Sequence, residues 1–139
     1  MSTLLFLTAS LLVAQAPADE VKKFEGTWTA KSGEDSGQPL PDADLKDFKL
    51  VIAGEQMTAT VGGRTTKLSY KLDPSKKPAT IDITPAEGAD KDKVHYGIYL
   101  LEGETLKICF SDPPSKDRPT EFATKAGSKA ILFTFQKAK

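Results

Sequence analysis

The chain has 139 residues, enough for one domain and too few for two. Its 19 Lys and Arg balance its 19 Asp and Glu, and the basic residues are spread singly among acidic ones, which leaves no basic stripe for nucleic acid. Cys109 is the single cysteine, so an internal disulfide is excluded and the core alone must hold the fold.

Residues 1–13 form an apolar run too short to cross a bilayer as a mature helix, followed by Ala14-Gln15-Ala16, a small-x-small cleavage pattern. This predicts a signal peptide over residues 1–18 and a mature domain over residues 19–139. The expected product is secreted or periplasmic, without stable membrane insertion after cleavage.

Residues 24–31 alternate: Phe24, Gly26, Trp28 and Ala30 share one parity, Glu25, Thr27, Thr29 and Lys31 the other. That is the period of a half-buried first strand, with the only Trp pointing inward. Residues 32–47, with Gly33, Gly37, Pro39 and Pro41, read as a long loop placed to act as a lid, with one short helical turn after Pro41. Strands follow at 48–53, 56–61, 65–72, 80–84, 94–100, 106–110 and 131–136, separated by turn residues at the spacing of an all-β protein. In the sixth strand Val94, Tyr96, Ile98 and Leu100 are expected inward, and a turn at Glu102-Gly103-Glu104 leads to Leu106, Ile108 and Phe110 on the inner face. Residues 118–122 are expected to be extended, because the residue before Pro119 avoids helix. About eight strands joined by short turns predict an all-β fold, a single small antiparallel up-and-down β-barrel, with a sandwich as the competing architecture.

Gly26-Thr27-Trp28 in the first strand resembles the calycins, the lipocalins and fatty-acid-binding proteins. The resemblance implies that Trp28 closes one end of the barrel and that a basic side chain of the last strand, here Lys137, lies across its indole. Nearly the whole mature chain resembles a lipocalin-like domain family found widely in planctomycete bacteria. The likeness runs through Phe24-Glu25-Gly26-Thr27-Trp28, Gly37-Gln38-Pro39-Leu40-Pro41, Leu72-Asp73-Pro74-Ser75-Lys76-Lys77-Pro78, Ile81-Asp82-Ile83-Thr84-Pro85 and Arg118-Pro119-Thr120-Glu121-Phe122. It implies the fold and carries over no activity.

For chemistry the sequence offers little. His95, the single imidazole, has outward parity and reads as a lone surface side chain, and Cys109, also outward, reads as a passive thiol. No catalytic residues are assigned and the protein is expected not to be an enzyme. Single His and Cys residues do not make a transition-metal site, and Asp42, Asp44 and Asp47, like Glu87, Asp90 and Asp92, lack calcium-loop spacing. Neither a metal nor a cofactor is therefore expected. Arg118 either clamps an anionic head group at the barrel mouth or fixes the chain by pairing with Glu121 or a carbonyl. The leading expectation is a monomer binding a small lipophilic molecule inside the barrel, through Trp28, Tyr70, Tyr96, Ile98, Arg118 and Phe133. The alternative is a solid-core protein-interaction or inhibitor module acting through its Pro-rich loops.

Overall fold

The structure, a computed structural model, describes residues 18–112 and 116–138. The predicted signal peptide lies outside the described residues but for Ala18. Among the described residues there are nine strands: β1 (Gly26–Asp35), β2 (Gln38–Pro39), β3 (Lys49–Ala53), β4 (Gln56–Val61), β5 (Arg64–Asp73), β6 (Thr80–Pro85), β7 (His95–Glu102), β8 (Thr105–Ser111) and β9 (Ala130–Lys137). From β3 to β9 each strand pairs antiparallel with the next, and β1 pairs with both β3 and β9. Eight strands thus close into an up-and-down barrel, as expected, with β2 a two-residue hairpin partner outside the ring. Closure removes the free edges that an open sheet would carry.

One end of the barrel is sealed by a helix that strand alternation did not reveal. Phe24 is not in the first strand but ends α1 (Ala18–Phe24), whose acids Asp19 and Glu20 stand in the first turn and Lys22 and Lys23 in the last, as the helix dipole favours. Val21 and Phe24, three apart on one face, pack on the core, and Phe24 is fully buried. Its ring lies edge-on to Tyr99 at 5.0 Å and stacks at 6.0 Å from Tyr70. The Tyr99 hydroxyl donates to Glu20 (2.7 Å), which ties α1 to β7. Gly26, at φ 131°, turns the chain out of the helix into β1.

Trp28, also fully buried, donates its indole N–H to the Phe24 carbonyl (2.8 Å). The Lys137 ammonium stands 5.6 Å from the centre of its ring, across the β1–β9 seam where Trp28 and Lys137 are directly paired. A Cβ on Gly26 would sit 2.8 Å from Lys137 Cε, so the glycine of the Gly-x-Trp triplet clears the path for the lysine stem.

Three segments differ from the sequence reading. First, β1 does not stop at residue 31 but runs to Asp35, with a register shift against β9 between Ala30 and Ser32. The irregularity moves the buried parity from Ala30 to Gly33, where a side chain would meet Leu40 Cδ1 at 2.8 Å and the Phe133 ring at 3.1 Å. The expected helical turn is present as α2 (Asp42–Leu45), anchored by buried Leu45.

Second, β7 is turned over. The β7–β8 loop is two residues, Gly103-Glu104, with Gly103 at φ 60°, so that Glu102 pairs with Thr105 and Leu101 with Leu106. Counting three residues in that turn had placed Leu100 opposite Leu106. A one-residue change of register moves every side chain to the other face. His95, Gly97, Tyr99 and Leu101 therefore share the inner parity, while Tyr96, Ile98 and Leu100 face out.

Third, the chain over residues 116–129 is a strap across the outer face, not a strand. Arg118 anchors it at one end, Thr124 ties it to Glu34 (3.0 Å) and Gly37 (2.8 Å) at the other, and Phe122 packs on Ile98, Cys109 and Ala130. This explains the apolar residues Ile98 and Cys109 at neighbouring outward positions of β7 and β8. Ile98 and Cys109 are buried under the strap, outside the barrel.

Replacing Trp28 by Ala should lower unfolding free energy in urea by about 3–5 kcal/mol. Lys137→Met, which keeps the stem but removes the charge, should cost about 0.5–2 kcal/mol. A Lys137→Met loss near zero would show that the stem's packing, not its charge, serves the seam.

Candidate functional site

At the end opposite α1 the barrel interior is not filled. A cavity of about 140 Å³ opens there, walled by Phe48, Leu50, Met57, Ala59, Leu68, Ile83, Pro85, Ile108, Phe110, Phe133 and Phe135, with one polar side chain among them, His95. Every barrel strand except β1 contributes to the wall. The inward set of each strand is apolar because these positions alternate with the solvent-facing ones, and Phe48, Leu68, Phe110 and Phe133 stay partly exposed around the opening. The phenylalanines brace one another: Phe48 meets Phe133 edge-on at 4.8 Å and Phe135 at 5.3 Å, and Phe110 stacks on Phe133 at 6.1 Å. Gly97 sets the position of Phe110, since a Cβ there would lie 2.9 Å from Phe110 Cβ and 2.7 Å from the Cys109 carbonyl.

His95 stands at the start of β7 and is 9% exposed. Its ring meets Phe110 edge-on at 5.5 Å. Nε2 faces the loop before β7, 3.9 Å from the Asp90 carboxylate, whereas Nδ1 is buried with no hydrogen-bond partner. Burial pulls its pKa below the ordinary histidine value of 6.5, against the opposing pull of Asp90 and Asp112. The imidazole is accordingly neutral at pH 7.

The residues expected to bind a ligand are distributed over three places. Phe133 lies in the cavity wall. Trp28 and Tyr70 are interior but belong to the sealed end; the Tyr70 hydroxyl donates to the Gly54 carbonyl (2.5 Å), and burial with Glu25 and Glu55 nearby pushes its pKa up to about 12. Tyr96 and Ile98 are outside the barrel, a consequence of the inverted β7, and Arg118 is outside it on the strap. There Arg118 donates to the Gly97 carbonyl (2.8 Å), pairs with Asp82 (2.8 Å) and lies 5.3 Å from the centre of the Tyr96 ring. Its guanidinium is engaged by the protein and does not reach the mouth. It pairs with Asp82 and carbonyls, not with Glu121. The expected surface histidine is instead the cavity's polar group, a placement legible from the sequence only by taking Gly103-Glu104 as the whole hairpin loop.

Cys109, outward as expected, is covered by the strap; its Sγ lies 3.8 Å from the Ala123 carbonyl, and burial pushes the thiol up to about 11. Among the described residues no three His, Cys, Asp or Glu side chains gather as a metal site requires. No protein-family model, no curated protein and no solved structure matches the chain.

Two outcomes follow from these placements. Because His95 holds fewer protons folded than unfolded near pH 6, its contribution is full above about 6.5 and lost as the pH falls through its lowered folded value. Urea unfolding at pH 7.5 and 5.5 should show this loss in the native sequence and a smaller one in His95→Phe; equal losses would contradict the burial of the ring. Arg118→Gln should loosen the strap, so that an aromatic disulfide reagent labels Cys109 several-fold faster at pH 8 than in the native protein. Unchanged labelling would place the anchor elsewhere in the strap.

Proposed function

We propose that this chain is an exported, lipocalin-like barrel that binds a small lipophilic molecule in the cavity at its open end. The observation that carries the reading is an unfilled, apolar space of about 140 Å³ in an interior otherwise packed with side chains. Apolar cavities of roughly that size, about 150 Å³, stay dry and take up benzene or xenon. The size supports a single ring or a short alkyl chain. Export rests on the apolar run and small-x-small pattern ahead of Asp19. The proposal assigns no catalytic role: the lone histidine adjoins no nucleophile in the cavity wall, which is otherwise hydrocarbon.

The same volume favours a second reading. It is less than half of the roughly 300 Å³ at which pockets for drug-sized ligands begin, as a barrel built chiefly to display loops would have. In that case the β1–β2 hairpin and the exposed Pro39 and Pro41 carry the contact with another protein.

Methyl NMR during a benzene titration separates the two. Saturable shifts at Leu50, Met57, Leu68 and Ile83, abolished in Ala59→Leu, are expected. The same substitution, by filling space, should raise unfolding free energy by about 0.5–2 kcal/mol. Linear, non-saturating shifts would favour the loop-display reading.

A further inference from the structure

Resting on the cavity as a ligand site, we infer that its ligand is a neutral molecule of about phenol's size with a single hydrogen-bond donor, which the ring nitrogen Nδ1 of His95 accepts. Three observations converge on this. The wall is hydrocarbon except for His95, so a ligand can place only one polar group favourably. The two ring nitrogens are not equivalent. Nε2 faces the Asp90 carboxylate at 3.9 Å, which favours the proton on Nε2 and leaves Nδ1 as a lone-pair acceptor. That acceptor is buried and unpaired in the protein, and a buried polar atom without a partner is the exception in folded proteins.

An incoming O–H or N–H would relieve that deficit at little cost in geometry. The His95 ring turns about a soft sp³–sp² torsion and stands edge-on to Phe110. The acceptor also discriminates between head groups. A carboxylate brings only lone pairs to a lone pair and must leave water for a hydrocarbon wall, so anionic acids are rejected. A hydrocarbon of the same shape fills the space but leaves Nδ1 unpaired. Phenols and short alcohols satisfy both wall and acceptor.

The test compares phenol, toluene and benzoate at pH 7.5 on the native protein and on His95→Leu, with binding followed by methyl NMR and His95 by its ring ¹⁵N resonances. As the single histidine, its signals are unambiguous. Phenol should displace the Nδ1 resonance and toluene should not. The phenol-to-toluene affinity ratio should be about three- to tenfold higher in the native protein than in His95→Leu, the yield of one neutral hydrogen bond. Benzoate should bind more weakly than phenol. Binding of both neutral probes with an unmoved Nδ1 and an unchanged ratio would overturn the role of His95 while leaving the cavity reading intact. Benzoate binding tighter than phenol would overturn the neutral-donor class. Saturable binding of neither phenol nor toluene would remove both the inference and the reading beneath it. Should His95→Leu fail to fold, the ¹⁵N response of the native protein decides alone.

Discussion

The barrel depends on the seam between its first and last strands, and the seam depends on the environment of one indole. Trp28 is held from three sides: the Phe24 carbonyl takes its N–H, the Lys137 ammonium faces its ring, and Lys137 is also its partner in the β1–β9 ladder. A buried Trp without an N–H acceptor would carry an unsatisfied donor, so the turn that brings Phe24 back over β1 is as necessary as the strand itself. Gly26 makes that turn and, lacking a side chain, admits the lysine stem. Helix, turn, strand and closing strand meet at this point.

The two ends of the interior follow from how aromatic side chains are shared out. Trp28, Phe24, Tyr70 and Tyr99 crowd the sealed end, and both tyrosine hydroxyls are spent on internal partners, Gly54 and Glu20. At the other end Phe48, Phe110 and Phe133 lean on one another around the rim and leave the volume between them empty. Gly33 on β1 and Gly97 on β7 lie behind phenylalanines of this wall, where a methyl group would collide with Phe133 or Phe110. The glycines thus determine where the rings sit, and the rings determine what space remains.

Much of this was legible in the sequence, because a barrel with one wet face writes its period plainly. The inward sets of β5 and β8, Leu68, Tyr70 and Leu72 on one and Leu106, Ile108 and Phe110 on the other, alternate with polar residues. Gly62-Gly63 makes the β4–β5 hairpin turn, and the lysine over Trp28 stands as expected. The period failed where a strand is apolar on both faces. With Phe122 and the strap covering the outside of β7, its sequence from Tyr96 to Leu101 is apolar throughout, and only the loop length decides which face is inner. That one residue of register also decides the face of His95, the cavity's polar group. Phe24 was read into the strand because its parity agrees with Trp28, although its spacing from Val21 agrees equally with a helix. The bulge near Ser32 and the pairing of Arg118 with Asp82 depend on contacts between distant segments, which carry no local signature.

A cylinder whose staves are laid in order can be hooped only when the last one arrives. Here the stave that must meet Trp28 is the final one, more than a hundred positions downstream, since residue 28 pairs with residue 137. A chain delivered amino end first from a ribosome therefore exposes its greasiest side chains before their cover exists, and early arrest leaves an open sheet with two bare rims. The seam can form only once the carboxyl end has arrived.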